Sequence, residues 1–133
     1  VQLTYLNLSG NALGSPATNE LLEVLHLTPV RHLHLSGCDL DAHCSRGLAF
    51  LFGNSLVIES VDISWNRLGP AGCRTVAESL QFNQSLVTFD LSYNALGAAG
   101  GAYMGDVLYD NRCDLVSFPL KMNHYSDGSF SKQ

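Results

Sequence analysis

Leu86-Val87-Thr88-Phe89-Asp90-Leu91-Ser92-Tyr93-Asn94-Ala95-Leu96-Gly97 decides the fold, because its spacing of apolar residues recurs along the whole chain. Counted from Asn94, apolar side chains fall eight, five and three places before it and two after it: Leu86, Phe89, Leu91 and Leu96. The same offsets around Asn66 hold Ile58, Val61, Ile63 and Leu68; around Asn11, Leu3, Leu6, Leu8 and Leu13; around Cys38, Val30, Leu33, Leu35 and Leu40. Around Asn123 they hold Leu115, Phe118, Leu120 and Tyr125. The anchors lie 27 (11 to 38), 28 (38 to 66), 28 (66 to 94) and 29 (94 to 123) residues apart, a period typical of stacked repeats.

Each repeat reads as one strand followed by one helix. Phe89 and Leu91 alternate with polar residues at period two, so one face of a strand is buried and the other looks outward. Ten, eleven and fourteen residues after the anchors stand Leu21, Leu22, Leu25; Leu48, Ala49, Phe52; Val76, Ala77, Leu80; and Met104, Gly105, Leu108. That spacing is one stripe of a helix. Pro16 and Pro70 mark helix starts, where a missing amide costs nothing. Strands are predicted near 4–8, 31–35, 59–63, 87–91 and 116–120, and helices near 16–27, 42–53, 70–82 and 98–110. Right-handed stacking of such units lays the strands side by side in a parallel sheet, with the helices on the opposite, convex side.

The period, the Asn-or-Cys anchor and the run Asn66-Arg67-Leu68-Gly69-Pro70-Ala71-Gly72 with Ala77, Leu80 and Asn83 resemble the ribonuclease-inhibitor type of leucine-rich repeat protein. The resemblance covers essentially the whole chain and implies an α/β solenoid of five repeats, a short horseshoe arc with its parallel sheet on the concave face. It points to fold more than to function, since nuclease inhibitors, Ran GTPase-activating proteins, NOD-like receptors, tropomodulins and ciliary scaffolds share the repeat. The 133 residues are expected to be a single domain, 1–133, from a longer protein, since the chain starts without Met and inside a strand pattern. The anchors Asn11, Cys38, Asn66, Asn94 and Asn123 are assigned structural roles: an inward amide can satisfy backbone groups of a loop that has left the ladder, and Cys38 fills the same volume with a weaker bond.

Composition narrows the function classes. A net charge of −5 with seven scattered Lys and Arg argues against nucleic acid. No apolar run reaches the roughly 18 residues that span a bilayer. Four Cys (38, 44, 73 and 113) without framework spacing favour free thiols in an intracellular, cytoplasmic setting, with cytoskeletal or ciliary association as options. The first and fifth repeats lack capping signals, so the open solenoid ends are expected to be covered by the rest of the protein or by self-association.

The concave face can be listed by offset from the anchor. Six before stand Tyr5, His32, Ser60, Thr88 and Ser117; four before, Asn7, His34, Asp62, Asp90 and Pro119; two before, Ser9, Ser36, Ser64, Ser92 and Lys121. Immediately before stand Gly10, Gly37, Trp65, Tyr93 and Met122. Poor in Lys and Glu and enriched in aromatics, this is the composition of an interface core. Tyr5, His32, His34, Asp62, Trp65, Asp90 and Tyr93 are therefore the expected partner-binding residues. Trp65 and Tyr93 are the candidate anchors, since aromatics carry much of interface energy, and Asp62 and Asp90 are candidates to select a basic group. The repeat wording Leu-Asp-Leu-Ser also gives the two Asp an ordinary structural reading. His32 and His34 with Cys38, His43 and Cys44 raise zinc, but the spacing fits no ligand pattern, and His34 beside Asp62 is better read as a cross-strand polar pair.

No Ser, His and Asp set or Lys-bearing phosphate loop stands out, and no residue of the Ran-activating loops matches, so no catalytic residue, metal or cofactor is expected. The expected function is a non-enzymatic protein-interaction module whose partner is a protein, a basic one being an option. The alternatives are an enzyme regulator, either Ran-type GTPase-activating or nuclease-inhibitor-like, and the ligand-sensing arm of a NOD-like receptor.

Overall fold

The computed structural model describes residues 2–109. The expected fifth strand (116–120), Asn123, Cys113 and the concave positions Ser117, Pro119, Lys121 and Met122 lie outside the described residues.

Four strand–helix units follow one another: β1 (Tyr5–Asn7), α1 (Gly14–Leu25), β2 (His32–His34), α2 (Ser45–Asn54), β3 (Ser60–Asp62), α3 (Gly69–Leu80), β4 (Thr88–Asp90) and α4 (Gly97–Tyr109). The strands form one parallel sheet in the order β1-β2-β3-β4. Register runs straight across, pairing Tyr5 with His32, His32 with Ser60 and Ser60 with Thr88, and carrying Asn7, His34, Asp62 and Asp90 along the next row. The apolar offsets in the second to fourth repeats make the core: Val30, Leu33, Leu35, Leu40, Ile58, Val61, Ile63, Leu68, Leu86, Phe89, Leu91 and Leu96 are all buried, joined by Leu22, Leu48, Phe52, Val76 and Leu80 from the helices. In the first repeat Leu6, Leu8 and Leu13 are only partly buried and Leu3 is exposed.

The strands are three residues long, not the five the alternation predicts. Hydrogen bonding nevertheless continues beyond them: Leu8, Leu35 and Ile63 amides donate to His34, Asp62 and Asp90 carbonyls, and Gly10, Gly37 and Trp65 amides donate to Ser36, Ser64 and Ser92 carbonyls. The chain bends at the residue before each anchor, so regular strand geometry ends before the inter-repeat ladder does. Gly14, Gly69 and Gly97, three residues past their anchors, open their helices with φ of +74°, +70° and +65°. Asp41 holds that place in the second repeat, where a side chain disfavours the left-handed region. It is extended instead (φ −115°), its carboxylate accepts from the His43 amide, and a 3-10 turn over Ala42–Cys44 replaces the α-helical start expected at 42. In α4 the expected stripe fails at Leu108, which is exposed. The helix packs through its glycine-rich first turns instead: Gly100 and Gly101 are buried, and the Cys73 thiol donates to the Gly100 carbonyl at 3.4 Å. A Cβ on Gly100 would come within 2.7 Å of Leu96 Cβ, at the turn that opens the helix, while Cys73 would stay at ordinary contact distance.

Cys38, Asn66 and Asn94 turn inward, whereas Asn11, given the same role from the sequence, does not. Asn66 Oδ1 accepts from the Cys38 and Leu40 amides, each at 3.0 Å, and its Nδ2 donates to the Leu35, Ile63 and Ser64 carbonyls. Asn94 repeats this one unit on, accepting from the Leu68 amide and donating to the Ile63, Leu91 and Ser92 carbonyls. Cys38 donates to the Leu8 carbonyl at 3.2 Å. Asn11 is exposed and makes one bond, to the Leu8 carbonyl. A second ladder unread in the sequence runs under the helix ends, where the buried Asn83 Nδ2 donates to the Phe52 and Ser55 carbonyls and Oδ1 accepts from the Ser85 and Leu86 amides. Replacing Cys38 by Asn is expected to raise stability by about 1 kcal/mol, because an amide in that place bonds more strongly than a thiol. A lower urea midpoint for Cys38→Asn would show that the site is shaped for sulfur.

Cys38, Cys44 and Cys73 are free and buried. Burial pushes the Cys73 thiol from its ordinary 9.0 to about 12, and burial followed by the nearby Asp41 charge does the same to Cys44. Raised folded-state values mean that unfolding releases protons above the ordinary thiol range. Their contribution to stability is therefore complete below about pH 9 and declines as pH climbs from 9 towards 12. Urea midpoints across that window should fall less steeply in a Cys44→Ala, Cys73→Ala variant than in the wild type, and parallel slopes would refute the assignment.

Candidate functional site

The parallel register gathers the predicted concave residues onto one surface. In the row six before the anchors, Tyr5 is exposed and His32 half-buried; in the row four before, His34, Asp62 and Asp90 are half-buried. Tyr5 lies over both imidazoles, its ring 5.0 Å from that of His34 and 6.3 Å from that of His32. His34 Nδ1 is 3.8 Å from Asp62 Oδ2, so the cross-strand polar pair is present, at a distance too long for a firm hydrogen bond. Asp62 and Asp90 are cross-strand neighbours. Each spends Oδ1 on its own turn, accepting from the Ser64 and Ser92 amides at 2.9 Å, as Asn7 does for Ser9. The acidic pair thus has a structural duty along with any recognition by its remaining oxygens. The serines two before the anchors are less available than their offset suggests. Ser64 and Ser92 are buried, Ser36 Oγ meets Ser64 Oγ at 3.0 Å, and Ser9 Oγ accepts from the Ser36 amide.

The row immediately before the anchors is the distinctive one. Gly10, Gly37, Trp65 and Tyr93 share a left-handed backbone, with φ of +81°, +62°, +59° and +60°. Glycine takes that conformation freely, whereas any residue with a Cβ meets a cost of roughly 1 kcal/mol. Trp65 and Tyr93 occupy it while stacked face to face, with ring centroids 3.8 Å apart and planes within 7°. Trp65 is 61% exposed. Two large aromatics therefore hold a strained backbone to pack on one another at the surface and not in the core. Sequence spacing placed both on this edge, but their stacking was unread. Its available signal was the pair of glycines at the same offset in the first two repeats, which mark a positive φ.

Other chemistry-bearing groups do not converge. Cys38 and Cys44 are buried, while the exposed His43 lies against Asp41. Among the described residues no three His, Cys, Asp or Glu side chains are grouped to hold a metal. Ser15, Asp41 and His43 do meet, but in an order unsuited to nucleophilic catalysis. The buried Ser15 hydroxyl donates to Asp41 Oδ1 at 2.7 Å, and His43 Nδ1 contacts the same oxygen at 3.1 Å. A base must contact the nucleophile's hydroxyl, and here the carboxylate stands between them. Hydrogen bonds from Ser15 and the His43 amide hold the Asp41 carboxyl below its usual range, consistent with a cap. On the convex side a cleft of about 330 Å³ lies between α3 and α4. Its Arg74 is engaged with Glu78 at 3.2 Å and over the Tyr103 ring. The cations Arg31, Arg46 and Arg67 are likewise paired, with Glu59, Glu23 and Asp39. Among the described residues no helix is long and apolar enough to cross a membrane.

The sequence profile described as Leucine Rich repeat matches residues 3–16, 26–42, 54–77 and 82–105, more than half of the chain. The chain belongs to the leucine-rich repeat family. Its relatives include "NACHT, LRR and PYD domains-containing protein 3" of Bos taurus, 28% identical over 95% of this chain and 15% of that protein. Another is "NACHT, LRR and PYD domains-containing protein 5" of Bos taurus, 37% identical over 59% of this chain and 7% of that protein. The chain thus spans a small part of the length of the curated relatives it matches. Among solved structures, the "Leiomodin-1 Actin-Binding Site 2 (ABS2)" superposes with a TM-score of 0.81 at 16% identity, covering 90% of this chain and 70% of that one. The tropomodulin C-terminal domain of Caenorhabditis elegans gives 0.79 at 18% identity, with 90% and 74% covered. At such identities these likenesses speak to the fold alone.

Proposed function

We propose that this chain is a non-enzymatic docking arc that binds a protein partner on its concave face, with Trp65 and Tyr93 as the anchors and Tyr5, His32, His34, Asp62 and Asp90 as the surrounding contacts. The observation that carries the reading is the exposed Trp65–Tyr93 stack, held in left-handed backbone where no core needs it. Large, rigid aromatics at low conformational cost are what interfaces use as hot spots. The outer oxygens of Asp62 and Asp90, on a concave face whose described rows hold no Lys or Arg, favour a basic partner. An intracellular setting belongs to the same reading, supported by three buried free thiols.

The relatives with NACHT and PYD domains favour one version of this reading: the arc is the repeat arm of a larger receptor-like protein. The full-length gene tests that version, since lack of a nucleotide-binding domain upstream would remove it. The docking face itself is tested by a photo-crosslinking residue at Thr88, on β4, compared with one at Arg74 on α3. A specific protein adduct from the concave position, lost on Trp65→Ala, supports the reading. Adducts from Arg74 alone would move the site to the convex side.

A further inference from the structure

Resting on the concave docking reading, we infer that the open face of Trp65 above Gly37 is a slot for an arginine side chain of the partner. The row before the anchors is a column of equivalent places. Gly10, Gly37 and Trp65 amides donate to the Ser36, Ser64 and Ser92 carbonyls in the same manner, and the φ values agree from one repeat to the next. A side chain at 37 would therefore rise alongside Trp65 as Trp65 rises alongside Tyr93. Glycine leaves that place empty, and a Cβ built on Gly37 or on Gly10 meets nothing within 4 Å. Tyr93 covers one face of the indole, and among the described residues no ring or cation covers the other. The stack is thus interrupted, with a flat π-face exposed at its end and a floor of glycine beside it.

Neighbouring strands are about 4.8 Å apart, so a planar group over Gly37 has room to lie against the indole as Tyr93 does at 3.8 Å, and the space over Gly10 stays open beyond it. A cation is favoured over a neutral ring by the field around it. The chain carries a net charge of −5, Asp62 faces the same surface, and the cations Arg31, Arg46, Arg67 and Arg74 are each paired with an acid. A guanidinium is planar, weakly hydrated and stacks on aromatic faces, whereas an ammonium is a compact, strongly hydrated point charge. The geometry selects arginine over lysine.

Trp65 is the chain's single Trp, so its emission reports the slot directly. The full chain is titrated at one ionic strength with acetyl-Gly-Arg-Gly-Arg-Gly-amide and with its lysine counterpart. The arginine peptide is expected to perturb Trp65 emission with an affinity about three-fold or more above that of the lysine peptide, the scale of an exposed cation–π contact. Its arginine δ-methylene protons should shift upfield under the indole ring current. Gly37→Tyr fills the slot with the residue the fourth repeat uses, and should abolish the preference. Equal affinities, an unshifted δ-methylene signal, or an arginine preference that survives Gly37→Tyr each overturn the slot. With the crosslinked partner, weakening by Trp65→Ala but not by Gly37→Tyr keeps the docking face and overturns the slot, and no change from either variant overturns both.

Discussion

Asn66→Ala is expected to lower the unfolding free energy by about 3 kcal/mol. The buried amide makes five bonds. Not all of its partners would be orphaned: the Ile63 carbonyl keeps Asn94, and the Ser64 carbonyl keeps the Gly37 amide. The Cys38 and Leu40 amides lose the acceptor they share, and a buried unpaired group costs about 1–3 kcal/mol. Asn94→Ala should cost a similar amount. Because both side chains donate to the Ile63 carbonyl, either alone suffices for it and the double variant orphans it. The double loss should exceed the sum of the single losses by about 1 kcal/mol, as expected for residues sharing a partner. Asn11→Ala supplies the contrast: exposed and holding one bond, it should change stability by under about 0.5 kcal/mol. Urea midpoints for these four variants test the ladder, and unchanged midpoints for Asn66→Ala and Asn94→Ala would refute it.

The repeat pattern carried most of the fold because it reports burial, and burial is what a four-position apolar code encodes. Leu86, Phe89, Leu91 and Leu96 were placed correctly for that reason, as were Asn66 and Asn94, whose polarity amid apolar neighbours demanded an inward role. What pattern could not carry was backbone conformation. Asp41 breaks the glycine place that opens the other helices and brings a 3-10 turn, a consequence visible once its φ is known. Leu108 is exposed although it sits on the expected stripe, and α4 meets Cys73 through the Gly100 carbonyl of its first turns, a contact no periodicity records. The register sets the concave list on one sheet face, and the repeat wording offered Asp62 and Asp90 a structural reading without naming the turn amide each holds, while spacing gave no hint that Ser64 and Ser92 are buried. Nor did it give the stack, since two aromatics at one offset become a pair only when register and φ are both fixed.

Trp65→Gly is the variant in which stability and binding should part company. A buried tryptophan removed from a core costs about 3–5 kcal/mol. Trp65 is 61% exposed and stacks on Tyr93, a ring contact worth about 0.5–1.5 kcal/mol beyond the area it covers. Against that loss, glycine relieves the left-handed strain of roughly 1 kcal/mol, as Gly10 and Gly37 do in the first two repeats. Net stability should therefore fall by no more than about 2 kcal/mol, short of the loss of a core tryptophan, because the strain relief offsets part of the lost contact. Affinity for a concave-face partner should fall by about 2 kcal/mol or more, roughly thirty-fold, as for an aromatic hot spot. Tyr93→Gly should follow the same course with a smaller loss of affinity, since Tyr93 is the more covered member of the pair. A urea midpoint that drops as for a core tryptophan would make the stack a structural device, and an unchanged affinity beside an unchanged midpoint would leave its strained backbone without a function.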